Sequence, residues 1–378
     1  MRKQYRHLGP FSDWVAAANR SRQLWPIAKP GKKTQALVRA CLAFAPGPET
    51  PRQPKVERRW TRDGVDGEEI SWSVGYGPRT RAWLLRPAGE KGKRPGLLAL
   101  HDHGGFKFYG KEKIAEGPDP APDFLRGYWR IYYGGRAFPN VLAREGYAVL
   151  VHDAFLWGSR KMPWANMPDW DQSLGNVPPG HDAHPPGMAA EVLRYNNSAI
   201  FNEHTIAKYC TVLGTTFAGI VSYEDRVAVR YLASRPDVDA QRIGCLGLSG
   251  GGMRTVLLQG TCDRIRAAVS VGAMCSYESL LDHNVICHTW MFFPTEWARH
   301  GDWPDLAACR APSPLLVQND LDDELYTVAG MKAAHRRIAA HYRSVGQPGN
   351  YVGEFYPGPH KFDLAMQKSA FAWLKRTL

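Results

Sequence analysis

The hydrophobic positions of the chain change from an alternating pattern to continuous runs. In residues 55–87, apolar and polar residues alternate between glycine-containing turns, as in KVERRWTRDG, EEISWSVGYG and TRAWLLRPAG. This alternation predicts three antiparallel strands. The chain then has short apolar runs bounded by turn residues, which are typical of strands buried on both faces. These runs lie at 97–100, 148–151, 242–249, 265–273 and 313–320.

Amphipathic segments separate the buried runs. SYEDRVAVRYLASRP, AGMKAAHRRIAAHYRSVG and the C-terminal MQKSAFAWLKRTL space their apolar residues as helices do. Strands that alternate with helices predict an α/β fold with a mainly parallel central sheet and helices on both faces. The antiparallel strands come before this sheet in the chain, and a helical lead-in comes before them.

The pattern also divides the chain. Residues 1–50 are predicted to form an N-terminal helical extension, which the proline-rich stretch PGPETPRQP separates from a domain over residues 51–378. Residues 156–215 are rich in Pro, Trp, Asn, His and Gly and fit neither period. Long loops without secondary structure are unusual in compact domains and are often functional. This segment starts directly after a strand, so we expect an insertion over the catalytic edge of the sheet.

Composition narrows the function classes. The chain has 378 residues and a net charge of +12, but its basic residues are dispersed, which argues against a nucleic-acid partner. Its seven cysteines have no CxxC spacing, so neither a disulfide framework nor an ordinary zinc site is expected. No apolar run is long enough for a signal peptide or a membrane span. We therefore expect a cytoplasmic protein without membrane contact; the sequence leaves homo-oligomerisation open.

The stretch RIGCLGLSGGGMRTV places Ser249 between a predicted strand and a predicted helix. Gly247 and Gly251 flank it in a G-x-S-x-G pattern, which is typical of a strained turn that presents a nucleophilic serine. A P-loop would need Lys and then Ser or Thr after the last glycine, whereas Met253 and Arg254 follow here. The remaining alternative is a tight turn without chemistry.

A nucleophilic serine needs a base, and the base needs an orienting acid. Asp320, Asp322 and Asp323 follow the strand SPLLVQND, and His360 stands in a Pro/Gly loop before the last helix. Serine, acid and histidine then occur in the chain order of an α/β-hydrolase. All three aspartates remain candidates for the acid, and Asp322 is preferred.

The same chemistry needs amide donors for an oxyanion and a pocket for the substrate. The amide of Gly250, directly after the serine, is one expected donor. The other is expected from the loop HDHGGF after an early strand, where Gly105 is preferred and Phe106 is close behind. Phe106, Trp157 and Trp290 are the candidate pocket residues, since aromatic walls suit sugars as well as aryl or alkyl esters.

This set of motifs resembles the α/β-hydrolase superfamily, and within it the dienelactone-hydrolase-related, acetyl-xylan-esterase-like branch. The resemblance covers roughly residues 35–378 and is most specific from Asp225 to Gly252. It implies Ser249, Asp322 and His360 as a catalytic triad. Two positions depart from the pattern: dienelactone hydrolase itself uses a cysteine nucleophile, and Asn319 replaces the usual glycine before the acid.

The sequence therefore predicts a serine hydrolase that cleaves a carboxylic ester of a carbohydrate or small molecule and needs no cofactor or metal. A peptidase, amidase or lactone hydrolase would use the same triad. Two alternatives come from other classes. One is a binding protein on a silent hydrolase fold, and the other is a metal-dependent hydrolase. Its candidate ligands would be found in H101-D-H103, H152-D153 and H181-D-A-H184.

Overall fold

The computed structural model describes residues 4–177 and 187–378. The candidate metal ligands His181, Asp182 and His184 lie outside the described residues. Within the ranges that the structure describes, nine strands form one sheet in the order β1-β2-β3-β5-β4-β6-β7-β8-β9. The strands are β1 (Arg52–Arg62), β2 (Val65–Ser73), β3 (Thr80–Pro87), β4 (Arg94–Leu100), β5 (Ala148–His152), β6 (Val238–Leu248), β7 (Ile265–Val271), β8 (Leu315–Asp320) and β9 (Tyr351–Tyr356).

The direction of pairing changes once across the sheet. β1, β2 and β3 pair antiparallel, β3 pairs antiparallel with β5, and every pair from β5 to β9 is parallel. All five residues of β5 are buried, as expected for a strand covered on both faces. The predicted mainly parallel sheet with N-terminal antiparallel strands is confirmed.

Helices cover both faces of the sheet, and each face has its own hydrophobic core. Helices α2, α7, α8, α9 and α10 pack on one face, and α3, α4 and α11 pack on the other. The helices are α1 (Asp13–Ser21), α2 (Lys32–Leu42), α3 (Asp123–Tyr132), α4 (Phe138–Arg144), α5 (Asp169–Ser173), α6 (Ala190–Val212), α7 (Phe217–Ser234), α8 (Gly250–Thr261), α9 (Trp303–Ala308), α10 (Val328–Ser344) and α11 (Leu364–Thr377).

The N-terminal segment contributes to this core. Helix α2 buries Val38 and Leu42, and the side chain of Thr216 at the start of α7 donates a hydrogen bond of 2.7 Å to the Leu42 carbonyl. Helix α1 buries no residue. The boundary between an extension and a domain at residue 50 stays a prediction.

Strand β9 and helix α6 are among the elements that the sequence analysis does not predict. Strand β9 has Gly353 at its centre and is mostly half-buried, so it lacks a continuous apolar run. Helix α6 lies within residues 156–215, which the sequence predicts to be an irregular insertion. Its buried positions include Asn196, Asn202 and Glu203, so polar residues interrupt the apolar stripe by which a helix is recognised. Among the described residues, no helix is long and apolar enough to cross a membrane.

Candidate active site

Ser249 lies at a sharp turn between β6 and α8. Its backbone has φ 58° and ψ −122°, a conformation that costs a non-glycine residue about 1–3 kcal/mol. The turn presses against β4, since a Cβ on Gly247 or Gly251 would lie 2.5 or 2.0 Å from the carbonyl oxygen of Leu100. The two glycines therefore leave room for the turn that the sequence predicts, and Ser249 faces a cavity at the carboxyl ends of the strands.

His360 follows β9 and reaches the same cavity. Its Nδ1 donates a hydrogen bond of 2.6 Å to Oδ2 of Asp323, which is buried after β8. Its Nε2 is buried and has no hydrogen-bond partner among the described residues. The ring lies over Gly272, where an added Cβ would approach the imidazole Cε1 to 2.8 Å. The imidazole is thus oriented by a carboxylate on one side and has its other nitrogen available.

The preference for Asp322 as the acid is wrong in this structure. Asp322 is exposed, and its carboxylate accepts a hydrogen bond of 2.7 Å from the amide of Gly358. It joins the loop after β8 to the loop that carries His360, while the next residue, Asp323, turns inward to the imidazole. Spacing along the chain cannot separate these neighbours, because adjacent side chains in a turn point in different directions.

Two carboxylates set the charge of the imidazole. Burial by itself would lower the pKa of His360, but the negative charges of Asp323 and Asp320 outweigh it, so this pKa is raised above its ordinary 6.5. Burial raises the pKa of Asp320 to about 7. Oδ2 of Asp320 accepts a hydrogen bond from the amide of Lys361, and its Oδ1 is buried without a partner. Near neutral pH, the second carboxylate therefore changes its charge beside the base.

The geometry corrects one of the two predicted oxyanion donors. Gly250 is the first residue of α8, so its amide has no acceptor within the helix. The amide of Gly105 instead donates to Nδ1 of His103 at 3.1 Å and is occupied. The amide of His103 has no acceptor among the described residues, and a Cβ on Gly250 would lie 2.6 Å from that nitrogen. The amide of His103, next to Gly250, is therefore the candidate for the second donor in place of Gly105.

Comparisons with known proteins find similar hydrolases. The model of the Prolyl oligopeptidase family (Peptidase S9) matches residues 214–339, which include the Ser249 turn and Asp323. The protein YtaP of Bacillus subtilis (strain 168), named as a hydrolase only provisionally, is 24% identical over 271 residues, which are 71% of this chain and 74% of YtaP.

Solved structures share the fold over most of the chain. A provisionally named acetyl xylan esterase of Bacteroides fragilis superposes with a TM-score of 0.64 at 17% identity, covering 86% of this chain and 74% of that one. A glucuronoyl esterase of Solibacter usitatus superposes with a TM-score of 0.61 at 14% identity, covering 92% of each chain. The chain has the α/β-hydrolase fold. The predicted α/β-hydrolase fold is confirmed, and the solved structures that share it include an acetyl xylan esterase named provisionally.

In this α/β-hydrolase fold, a cavity of about 250 Å³ adjoins Ser249. One wall, the sheet wall, consists of strand ends and the loops that follow them. The other wall, the cap wall, comes from α6 and the segment 286–289. The sheet wall contributes Asp102, His103, Gly104, Gly105, Leu248, Ser249, Gly250, Leu325 and His360, and the cap wall contributes Ile200, Phe201, Glu203, His204, Ile286, Cys287, His288 and Thr289. Tyr128 and Tyr132 of α3 and Met253 of α8 also line the cavity.

None of the three predicted pocket aromatics lines this cavity. Phe106 is fully buried and packs against Tyr109 and Tyr128. Trp157 is 1% exposed and packs edge-on against the ring of His103. Trp290 is 40% exposed and lies behind His204, to whose Nδ1 its Nε1 donates a 2.9 Å hydrogen bond. These three rings thus support the walls, whereas the rings of Tyr128, Tyr132 and Phe201 line the cavity.

The histidines of the cap wall were missed in the sequence. Since the indole of Trp290 can only donate, Nδ1 of His204 accepts and the neutral ring carries its proton on Nε2. Nε2 of His288 donates to the carbonyl of Leu325 at 3.1 Å, and burial lowers the pKa of His288 to about 4. Both imidazoles are therefore neutral near pH 7. In the sequence they are isolated histidines in an irregular segment, so no pattern predicts that they line the cavity.

The alternative of a metal centre at H101-D-H103 has no geometric support. Nδ1 of His101 contacts the carbonyl of Asp102, and its Nε2 accepts from the amide of Ala154. Both nitrogens of His103 are also hydrogen-bonded, to Gly105 and Glu203. Within residues 4–177 and 187–378, the one compact set of metal-type ligands is Asp320, Asp323 and His360. In that set, the Nδ1 of His360 is already bonded to Asp323.

Proposed function

We propose that this protein is a serine esterase that hydrolyses small, uncharged carboxylic esters. The observation that carries the proposal is the arrangement of the strained Ser249, a histidine with a free Nε2, and a buried carboxylate on the Nδ1 of that histidine, all at one cavity. This is the set of roles that a serine hydrolase requires, and the parts stand in the chain order of its fold.

The chemistry follows from the positions of these groups. Nε2 of His360 accepts the proton of Ser249 Oγ while Oγ bonds to the ester carbonyl carbon. The amides of Gly250 and His103 donate to the resulting oxyanion. The imidazolium, held by Asp323, then gives its proton to the departing alkoxide, which leaves an acyl-serine. Water then attacks the acyl-serine in the same way: its proton passes to His360 while its oxygen bonds to the acyl carbon. The acid is released, and Ser249 Oγ regains its proton from His360.

The cavity lining favours an uncharged substrate. Among the described residues that line it, there is no Lys or Arg to pair with a free carboxylate. The carboxylate of Asp102 is paired with Lys113 and accepts from the hydroxyls of Tyr128 and Tyr133. Its charge is therefore satisfied and does not attract a cation. The acetyl xylan esterase neighbour supports an acetyl ester of a neutral carbohydrate as the leading substrate class.

A peptidase is the second candidate, because the matching family model is that of the prolyl oligopeptidases. The same acyl-serine would form from an amide, with the proton of His360 passing to the leaving amine. A peptide substrate and an acetylated sugar differ in the leaving group, so parallel assays separate them.

The decisive test is covalent labelling with a fluorophosphonate probe. We expect the wild-type protein to be labelled and Ser249→Ala to be unlabelled and inactive, since the probe bonds to an activated serine oxygen. Ser344→Ala, on the exposed end of α10, is the matched control and should be labelled normally. An unlabelled wild type that is correctly folded would refute the serine-hydrolase proposal.

The substrate class is tested on the same preparations. Wild-type protein is assayed with p-nitrophenyl acetate, acetylated xylo-oligosaccharides, a methyl ester of glucuronic acid, free glucuronate-bearing acetates and dipeptide p-nitroanilides. We expect hydrolysis of the neutral acetyl esters and no gain from a free carboxylate. Faster turnover of the anilides than of any ester would instead assign the protein as a peptidase.

A further inference from the structure

One buried carboxylate of the cap wall contacts the loop that carries an oxyanion donor. Glu203 lies in α6 and is 3% exposed. Its Oε2 accepts a hydrogen bond of 2.9 Å from Nε2 of His103 and a short one from Nζ of Lys107. Its Oε1 accepts from Oγ1 of Thr289 at 2.6 Å and from the amide of Trp290 at 3.0 Å. Glu203 thus joins three separate segments around the cavity.

The hydrogen bonds of His103 fix both the tautomer and the orientation of its ring. The amide of Gly105 donates to Nδ1, so Nδ1 accepts and the proton is on Nε2, which donates to Glu203. The ring is held at both nitrogens, and Trp157 packs against it edge-on at 5.1 Å between ring centroids. A ring held in this way restricts the backbone of its own residue, including the amide beside Gly250.

The charge of Glu203 is maintained by its neighbours. Burial by itself would raise the pKa of Glu203, yet the positive charge of Lys107 and the bond from His103 hold this pKa well below its usual range. The Lys107 ammonium is 1% exposed and also lies 4.2 Å from the ring centroid of Trp157. The carboxylate is therefore ionised and acts only as an acceptor, which suits its four donors.

We propose that Glu203 is a positioning residue that holds the His103 amide in the geometry of the oxyanion hole by binding the His103 ring. This inference rests on the proposed function, since it concerns the same reaction. Glu203 does not reach the reacting atoms; it acts through His103. Its other oxygen ties Thr289 and Trp290 to the same carboxylate, so the cap wall and the oxyanion loop are set in place together.

The test compares Glu203→Gln and His103→Gln with wild type. The control is Glu191→Gln, an exposed position at the start of the same helix. Steady-state kinetics with p-nitrophenyl acetate give kcat and KM, and an aryl trifluoromethyl ketone, which forms an oxyanion on the serine, gives an inhibition constant. Fluorophosphonate labelling of the wild type first establishes the proposed function independently, and thermal melting establishes the folded state of each variant.

We expect kcat of Glu203→Gln to fall about 10- to 100-fold with KM within about twofold, somewhat less than the loss of an oxyanion donor. The ketone should lose affinity by a similar factor, and Glu191→Gln should match wild type. In Glu203→Gln, Lys107 is left buried without its carboxylate partner. His103→Gln provides a second test in which Lys107 and Glu203 remain paired. The kcat of the double variant should be no lower than that of the less active single variant, because both substitutions remove the same contact between His103 and Glu203.

A structural role alone would lower the melting temperature but leave kcat per folded molecule and ketone affinity unchanged. That result in both Glu203→Gln and His103→Gln would overturn the inference, and so would fully additive losses in the double variant. A wild type that does not react with the fluorophosphonate would instead refute the proposed function. The two failures are therefore distinguishable.

Discussion

The two walls of the cavity are built in different ways. The sheet wall consists of short connections directly after strands: Ser249 follows β6, Asp323 follows β8 and His360 follows β9. The cap wall consists of α6 and the segment 286–289, which reach the site from long connections. They are held by contacts between segments far apart in the chain, such as the bond of Glu203 to Thr289. One wall is positioned by the sheet, and the other by side-chain contacts.

This difference separates chemistry from selection. Parallel strands bring their carboxyl ends to one edge, so groups placed there are fixed relative to each other by backbone hydrogen bonds. The proposed nucleophile, base and acid all use that edge. The cap wall supplies the apolar side chains of Ile200, Phe201 and Ile286, which face the same space without a part in proton transfer. Changes in the sheet wall should therefore affect turnover, and changes in the apolar side chains of the cap wall should affect substrate preference; Glu203 is the exception, because it acts on the sheet wall through His103.

The largest effect is expected for Asp323→Asn. An amide in place of the carboxylate can donate to Nδ1 of His360 and so favour the wrong tautomer, which should lower kcat about 10³- to 10⁴-fold. Asp322→Asn is the matched control at the next residue, and we expect it to remain within about threefold of wild type, because an exposed side chain of this kind contributes little. Steady-state hydrolysis of p-nitrophenyl acetate measures both.

If Asp322→Asn were the inactive variant and Asp323→Asn the active one, the hydrogen bond between Asp323 and His360 would not be the functional one. Both substitutions preserve side-chain size, and thermal melting of each variant separates loss of chemistry from loss of fold.

The pH dependence should be controlled by the sheet wall alone. The base must be unprotonated to accept the serine proton, so kcat/KM should rise with pH through the pKa of His360, which is raised above 6.5. Below that pKa, activity should fall about tenfold per pH unit. A profile of kcat/KM between pH 5 and 9 measures the midpoint of this limb.

Asp320→Asn removes one of the charges that raise the pKa of His360, so the limb should move to lower pH in this variant. The shift should be smaller than that of a permanently charged neighbour, because the pKa of Asp320 itself is about 7. A limb that stays in place would show that Asp320 does not affect the base.

The smallest effect is expected for an apolar residue of the cap wall. Ile286 lines the cavity but is 72% exposed, so Ile286→Ala should change kcat/KM for p-nitrophenyl acetate by less than about twofold and lower it about two- to fivefold for the longer butyrate, given the value of methylene contacts in pockets. The neighbouring Val285 is 49% exposed and does not line the cavity, so Val285→Ala is the control. A large fall in kcat for acetate would contradict the division between the walls.

The sequence predicts the sheet wall better than the cap wall for the same reason. The Ser249 turn is encoded locally, by a strand, two glycines and a helix, and His360 is placed by the order of the elements. The acid could be narrowed to three aspartates but not to Asp323, because the direction of a side chain within a turn depends on tertiary contacts. Gly105 was chosen from its place in a glycine pair, although its amide is used by His103.

The cap wall could not be predicted from the sequence, because polar contacts between residues distant in the chain hold it together. Glu203 is one acidic residue in a helix whose apolar pattern is interrupted, and its partners lie about 90 residues away or more. The large aromatic rings of Trp157 and Trp290 favour a place in the pocket wall, yet Trp157 packs behind His103. The cytoplasmic location remains a prediction, and the sequence leaves homo-oligomerisation open.

The strained backbone of Ser249 affects the stability of the whole fold. Its left-handed φ of 58° is held by the surrounding β6, α8 and β4, so part of their packing is spent against local strain. Glycine at this position would relieve the strain and produce a protein that is better folded and chemically inert. Selection for stability alone would therefore remove the hydroxyl, and its presence in a strained turn records a demand that stability does not explain.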